Sequence, residues 1–209
     1  MKKPTWIFDL DNTLHDTGRK LFPIINKKMN AYIQNLLNIN ELQASKIRQD
    51  YWIKYGSTLK GLMKNYDVNP HDFLNKTHNI NNYRNLVFPA YNLIKILSNL
   101  SGRKILFTNA PKIYALKIVN HCNISQFFQD FHFIENSSFN GKPSKESMMK
   151  FLAKHKIKKA YFVDDEKENL KVAKQFGIQT IWINNSKKKP IYIDKKITSL
   201  KELKALKLL

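Results

Sequence analysis

The sequence predicts an α/β fold in which a doubly wound parallel sheet carries an inserted all-helical segment. Short apolar runs recur along the chain, helical patterns separate most of them, and about 70 residues after the first run show helical spacing only. Strands that alternate with helices form parallel sheets covered on both faces. The length of 209 residues fits one such domain with a sizeable insertion and excludes two large domains.

Four apolar runs indicate buried strands, and a fifth is a weaker candidate. The first run, at residues 5–8, leads directly into Asp9. The other runs lie at residues 104–107, 160–163 and 180–183, and the weaker candidate lies at 131–134.

Helical patterns separate the later strands, at residues 112–122, 144–155 and 169–176. Gly177 follows the last of these patterns and is typical of a C-terminal cap. Ser199 and Glu202 have the spacing of a capping box, which predicts a final helix that ends at Leu208 and Leu209.

The segment between the first two strands predicts helices alone. Apolar residues keep helical spacing from Leu21 to Leu37, and a second helix runs from Asn40 as N-cap to Tyr55, where Gly56 ends it. Shorter helices are expected at 57–65 and 70–78. We therefore expect an α/β core from residues 1–16 and 86–209, with residues 17–85 as an inserted helical lid or cap.

The single cysteine, Cys122, excludes an intramolecular disulfide and favours a reducing, cytoplasmic setting. The N-terminal segment before Asp9 is too short for the apolar part of a signal peptide. No run approaches the roughly 18 apolar residues of a membrane span, so we expect a soluble protein without a membrane partner.

The chain is strongly basic, with 36 Lys and Arg against 16 Asp and Glu and a formal charge of +20. Such a charge first suggests a nucleic-acid-binding protein. Only four of the basic residues are arginines, however, and the lysines are scattered along the whole chain. Surfaces that read bases depend on arginine, so this composition argues against specific nucleic-acid binding, although anionic substrates would be attracted.

The acidic residues are concentrated in two short segments, whereas the lysines are scattered. Seven of the 16 acidic residues fall within residues 9–16 and 164–168. Because like charges repel when they are brought together, such clusters indicate a bound cation or catalytic work.

Polar residues follow several of the predicted strands, where an open parallel sheet binds its ligands. A carboxylate that attacks a phosphate needs a divalent cation and a lysine to offset the repulsion, and the leaving alkoxide needs a proton from a second acid. Residues of each type are present, so the pattern predicts phosphoryl transfer through an aspartyl-phosphate. They are Asp9 and Asp11 after the first strand, Thr108 and Asn109 after the second, Lys142 before a helix, and Asp164 and Asp165 after a later strand.

These residues match, in order, the four motifs of the haloacid dehalogenase superfamily, and the chain resembles a member of it over residues 1–15 and 86–209. The resemblance implies a Rossmann-like core with Mg²⁺ as cofactor. It implies that Asp9 is the nucleophile and a metal ligand, and that Asp11 is the acid/base and a ligand through its backbone carbonyl. It further implies that Thr108 and Lys142 hold the phosphate, and that Asp165 is the closer metal ligand with Asp164 supporting it.

Two details of the motifs narrow the expected reaction. Dehalogenases of the superfamily lack the second aspartate and its ion pumps carry threonine there, so Asp11 indicates a phosphatase or phosphomutase. Residues 55–62, with the sequence YGSTLKGL, resemble a stretch of the pyrimidine 5′-nucleotidase branch. That resemblance implies hydrolysis of pyrimidine nucleoside 5′-monophosphates. The residues then expected to contact the substrate are Tyr51, Tyr55, Thr58, Asn109 and His15, the last at a position where many relatives have tyrosine.

Several interpretations stay open at this point. Tyr51 and Tyr55 could stack on a base or pack within the cap, and Asn169 could bond to the acid cluster or simply begin a helix. His15 could be a gate at the pocket mouth or the polar start of the linker to the cap. The alternative functions are a phosphatase or phosphomutase for another small metabolite and, from a different class, a basic nucleic-acid-binding protein on the same fold.

Overall fold

The structure of the protein, a computed structural model, describes residues 3–206. Six β-strands form one parallel sheet in the order β3-β2-β1-β4-β5-β6. Their bounds are Thr5–Phe8 (β1), Arg103–Phe107 (β2), Asp130–His132 (β3), Tyr161–Asp164 (β4), Gln179–Ile183 (β5) and Lys195–Ile197 (β6).

Eight α-helices accompany the strands within residues 3–206. Their bounds are Leu21–Leu37 (α1), Glu41–Tyr55 (α2), Thr58–Asn65 (α3), Pro70–His78 (α4), Leu93–Asn99 (α5), Lys112–His121 (α6), Lys145–Lys154 (α7) and Lys167–Gln175 (α8). Short 3₁₀ helices occur at Tyr83–Asn85, Ser125–Phe127, Ile134–Ser137 and Leu200–Ala205.

Both faces of the sheet are buried. Successive residues of β1 belong to different apolar clusters: Trp6 and Phe8 join one cluster, and Ile7 joins the other. Because side chains alternate across a strand, the two clusters lie on opposite faces. This explains the continuous apolar runs in the sequence and confirms the doubly wound α/β class.

The sheet has a topological switch point at β1, which pairs with β2 on one side and with β4 on the other. A crevice opens at such a point, outside the carboxyl ends of the strands. Asp9 directly follows β1, and its N–H donates to the Val163 carbonyl of β4 at 3.0 Å. The strand order thus brings residues that are distant in sequence to one edge of the sheet.

The helices α1 to α4 lie between β1 and α5 and pack around one apolar cluster, which includes Ile33, Ala44, Leu62 and Phe73 and is joined by Ile134 from outside these helices. We call residues 17–85 the cap and the other described residues the core. The two connecting segments bond to each other, since the N–H of Asp16 donates to Phe88 and that of Ala90 donates to Leu14, each at 2.9 Å.

The cap contacts the core at separate places. The ring of Phe139 from the core meets His71 edge-on, with centroids 5.0 Å apart. A Cβ at Gly56, in the turn between α2 and α3, would lie 3.4 Å from Pro143. On the other side, His78 at the end of α4 meets the ring of Tyr114 at 5.7 Å. The cap is therefore docked over the carboxyl edge of the sheet.

Most predicted helix ends are observed. Asn40 forms a capping box with Gln43 at the start of α2, and Gly56 ends that helix with φ 81°. Most predicted strands and helices agree with the structure to within one residue at each end, and α6, for example, ends at His121. Two differ by more: β3 covers Asp130–His132 instead of 131–134, and α8 begins at Lys167, two residues before the predicted start. Ser199 and Glu202 do form a capping box, but on a 3₁₀ helix, and the predicted end at Leu208 and Leu209 lies outside the described residues.

Among residues 3–206, no helix combines the length and the apolar composition needed to cross a membrane.

Candidate active site

Lys142 lies between two carboxylates at the carboxyl edge of the sheet. Its Nζ donates to Asp9 Oδ1 at 2.7 Å and to Asp164 Oδ2 at 2.8 Å. All three residues are buried, with exposures of 5% for Lys142, 7% for Asp9 and 0% for Asp164. Burial lowers the pKa of the ammonium group, but the attraction of Asp164 and Asp9 outweighs it and raises that pKa above its usual value. The lysine is thus held charged beside Asp9.

Asn109 fixes the backbone of Lys142. The Asn109 amide donates to the Lys142 carbonyl and accepts from the Lys142 N–H, each at 2.8 Å. The neighbouring Gly141 permits this approach, because a Cβ there would lie 2.1 Å from Asn109 Oδ1. The predicted substrate residue Asn109 therefore positions residues 141–143, which carry Lys142 and which we call the lysine loop.

Asp164 accepts hydrogen bonds from several directions besides the one from Lys142. The N–H of Glu166 donates to it at 2.8 Å, and Nδ2 of Asn169 lies 3.0 Å from both carboxylate oxygens. Of the two roles left open for Asn169, the structure shows the bond to the acid cluster.

Asp9, Asp164 and Asp165 form a candidate metal site, because each offers a carboxylate oxygen and these atoms lie within 4.8 Å of one another. Burial, followed by the charges of Asp164 and Glu166, raises the pKa of Asp165 to about 7. Burial is also the main cause that raises the pKa of Asp9, against the attraction of Lys142. Three crowded carboxylates provide the hard oxygen ligands that fit Mg²⁺.

Asp11 lies outside this cluster and has different partners. Its Oδ1 accepts from His15 Nε2 at 2.9 Å, from Thr17 Oγ1 at 2.7 Å and from the Tyr114 hydroxyl at 2.9 Å. Burial raises the pKa of this carboxyl, but the bonds from His15, Thr17 and Tyr114 outweigh burial and lower it below its usual range. The chain thus holds one aspartate between a lysine and other acids, and a second among hydrogen-bond donors from His15, Thr17 and Tyr114.

Thr108 follows β2 and is 2% exposed. Its N–H donates to the His132 carbonyl, and its Oγ1 accepts from the Ala110 N–H, both at 3.0 Å. A hydroxyl whose oxygen accepts one bond still has a hydrogen to donate, which suits a phosphate oxygen.

The remaining predicted substrate residues lie in the cap or in its linker. Tyr51 packs in the apolar cluster of the cap and would clash with a Cβ at Gly61. The Thr58 hydroxyl donates to the Arg48 carbonyl at 3.0 Å, whereas Tyr55 is only half-buried. His15, for which the sequence leaves two roles open, is 2% exposed and bonds to Asp11.

Sequence reasoning missed Tyr114 and Thr17 as partners of Asp11. Tyr114 lies on the buried stripe of α6, where its periodicity predicts only packing. A tyrosine on such a stripe carries a polar tip that needs a partner, and this is the signal that could have identified it.

Comparisons with known proteins identify relatives of this chain by sequence and by fold. Phosphate metabolism protein 8 of Saccharomyces cerevisiae is 23% identical to this chain, and the match covers 84% of this chain. This chain spans only 60% of the length of that relative.

Solved structures share the fold across nearly the whole chain. A phosphatase of the haloacid dehalogenase type from Thermococcus onnurineus has a TM-score of 0.69 and 16% identity, with 98% of this chain and 97% of the other covered. The structure of YfnB from Bacillus subtilis, described as a hydrolase of the same type bound to magnesium, has a TM-score of 0.63 and 19% identity, with 98% of each chain covered. The family model of haloacid dehalogenase-like hydrolases matches residues 6–183, so this chain belongs to that family.

Proposed function

We propose that the chain is a Mg²⁺-dependent phosphomonoesterase that acts through an aspartyl-phosphate on Asp9. The observation that carries the proposal is the position of Asp9, which is bonded to Lys142 at 2.7 Å and clustered with Asp164 and Asp165. A nucleophilic carboxylate needs positive charge beside it to approach a phosphate dianion, and Lys142 supplies such a charge.

In the first half of the proposed reaction, a carboxylate oxygen of Asp9 attacks phosphorus. The bond from phosphorus to the ester oxygen breaks, its electron pair stays on that oxygen, and the oxygen takes a proton from Asp11. Lys142 and the Thr108 hydroxyl bind the phosphoryl oxygens during transfer. The products of this half are the free alcohol and phosphorylated Asp9.

In the second half, water attacks phosphorus and gives a proton to Asp11 as inorganic phosphate leaves Asp9. The bonds donated to Asp11 favour its charged form, which is the form that a base needs. A bound phosphate dianion raises the pKa of a neighbouring carboxyl, so substrate itself favours the protonated form that the first half needs.

Asp9, Asp164 and Asp165 would hold Mg²⁺, with the Asp11 backbone carbonyl as a further ligand. The bound ion supplies positive charge that offsets the repulsion between the carboxylate and the phosphate.

We further propose that the substrate is a pyrimidine nucleoside 5′-monophosphate. The support is the resemblance of residues 55–62 to the pyrimidine 5′-nucleotidase branch. These residues form the turn between α2 and α3 and the start of α3, and this turn approaches the lysine loop at Pro143. The cap is therefore the part of the chain that can contact the nucleoside.

The test is phosphate release from a panel of pyrimidine and purine nucleotides, sugar phosphates and an aryl phosphate, with Mg²⁺ or with chelator, and with Asp9→Asn as control. We expect kcat/KM for pyrimidine nucleotides to exceed that for purine nucleotides by about tenfold or more, since pocket contacts discriminate on this scale. A sugar phosphate that is hydrolysed faster would contradict the nucleotide assignment alone. Phosphate moved to a second hydroxyl without release would indicate a phosphomutase, and no turnover of any ester with Mg²⁺ would contradict the phosphatase itself.

A further inference from the structure

Asp11 has a hydrogen-bond arrangement that leaves its two oxygens unequal. Within residues 3–206, each hydrogen bond to its carboxylate reaches Oδ1, from His15, Thr17 and Tyr114. Three donors on one oxygen fix the plane of the carboxylate and leave Oδ2 outside the network. Oδ2 is then the oxygen that can exchange a proton with substrate.

The three donors have different origins. His15 and Thr17 belong to the segment that leads from Asp11 into the cap, and Thr17 Oγ1 lies 3.1 Å from His15 Nε2. Tyr114 comes from α6 in the core, 103 residues further along the chain. The hydrogen bond from Tyr114 therefore connects Asp11 to α6, which is not part of the segment that contains Asp11.

The ring of Tyr114 contacts both the core and the cap. It is 1% exposed and packs in the apolar cluster against one face of the sheet. His78, the last residue of α4 in the cap, meets it edge-on with centroids 5.7 Å apart. The hydroxyl is thus presented to Asp11 by a ring that packs against core and cap together.

Proton transfer to a leaving oxygen is sensitive to distance and direction, so the orientation of Asp11 matters as well as its presence. We propose that Tyr114 is a positioning residue, whose hydroxyl holds Asp11 so that Oδ2 faces the ester oxygen of the substrate. This inference rests on the proposed phosphatase function and adds to it a residue outside the family motifs.

The test is Tyr114→Phe, which removes the hydroxyl and keeps the ring against His78. We expect phospho-enzyme formation to slow about tenfold to a hundredfold with an alkyl phosphate, because misplacing a reacting group costs this much. With an aryl phosphate, which leaves readily without a proton, the rate should fall less than about threefold. KM should hardly change for either substrate.

The matched control is Tyr32→Phe, which removes another tyrosine hydroxyl that donates to an aspartate, Asp72 in the cap, at 3.2 Å. We expect this variant to keep both rates. A second comparison introduces Tyr114→Phe into an Asp11→Asn background, where no acid is left to position, and we expect no further loss there.

Three outcomes would overturn the inference: equal slowing of both substrates by Tyr114→Phe, an additive loss in the Asp11→Asn background, or no effect at all. If Tyr114→Phe lowers the thermal midpoint markedly, Thr17→Val replaces it, since Thr17 donates to the same oxygen and the same dependence on the leaving group is expected. A wild-type chain that hydrolyses no phosphate ester would contradict the proposed function instead.

Discussion

Asp9 and Asp11 lie two residues apart, and their carboxylates have different partners. Asp9 bonds to a charged lysine, whereas Asp11 bonds to a histidine, a threonine and a tyrosine. The sequence could predict both aspartates because they follow an apolar run. It could not predict these donors, because Tyr114 reaches Asp11 only through the packing of α6 on the sheet.

The two aspartates should respond differently to the same change. Asp9→Asn removes the attacking charge, so no phospho-enzyme should form with any substrate. Asp11→Asn should slow phospho-enzyme formation about 10²- to 10⁴-fold with a nucleotide and far less with an aryl phosphate, because only the alkoxide needs the proton. Single-turnover measurements separate this step from hydrolysis of the intermediate, which should be impaired for both substrates. Equal slowing of the first step would show that Asp11 is not the acid.

Lys142 should matter for stability as well as for turnover. Lys142→Met leaves Asp9 and Asp164 buried without their cation, and breaking such a pair costs about 3–5 kcal/mol. We expect denaturant unfolding in chelator to show this loss at pH 8 and a smaller loss at pH 5, because burial raises the pKa of Asp9 and its protonation removes one of the unpaired charges. The exposed Lys145→Met, three residues away, should change the free energy of unfolding little. A loss independent of pH would contradict the electrostatic cause.

At the scale of elements, the sequence predicts those with strong local signals and misses the others. β6 is three residues long and contains two lysines at the edge of the sheet, where charge is typical and apolar alternation is weak. The start of α8 also differs from the prediction because its local signal is weak: the N-cap residue Glu166 makes no side-chain capping bond. Such boundaries are decided by tertiary packing.

A buried series of hydrogen-bonded side chains connects β3 to α7. His132 Nε2 lies 3.0 Å from Ser137 Oγ, which lies 2.8 Å from Ser147 Oγ in the first turn of α7. Burial, with the charges of His155 and Lys154, lowers the pKa of His132 to about 4. His132 is therefore neutral in the folded chain at neutral pH.

This histidine should make the fold sensitive to acid. Its unfolded-state pKa is near 6.5, so between pH 6.5 and 4 the unfolded chain binds the proton and the folded chain does not. The free energy of unfolding should fall by about 3 kcal/mol across that range on account of His132. His132→Asn should flatten the dependence, whereas the exposed His121→Asn should not. Parallel curves for His132→Asn and the wild type would contradict this assignment.

The turn between α2 and α3 should affect substrate choice. Tyr55, at the end of α2, is half-buried next to Gly56, which approaches the lysine loop. We expect Tyr55→Ala to change the order of kcat/KM among nucleotides more than it changes hydrolysis of an aryl phosphate, because the motifs bind only the phosphate. Trp52→Ala removes an exposed aromatic residue of the same helix and is the control. An unchanged order would remove Tyr55 from the substrate contacts.

At the scale of the whole molecule, the strand order explains how far the site could be predicted. Polar residues after separate strands converge because β1 pairs with both β2 and β4, and parallel strands end at one edge. The contacts through which the cap packs on the core could not be predicted from the order of strands and helices. They include that of Phe139 with His71, and they join residues from separate parts of the chain and leave no periodic pattern.

The formal charge of +20 is a property of the whole molecule, and it should produce attraction without sequence recognition. Among the described lysines only Lys104 and Lys142 are buried, so most of the charge lies where salt screens it. A short single-stranded oligonucleotide that contacts about five lysines should lose roughly a hundredfold in affinity between about 50 and 200 mM salt, whatever its sequence. The kcat for the best phosphate ester should stay within about twofold over the same range, because the buried site is little screened.

A neutral osmolyte at matched osmolality is the control and should alter neither quantity. Oligonucleotide affinity that resists salt and depends on base sequence would instead favour a nucleic-acid-binding protein, since scattered lysines cannot produce such selectivity.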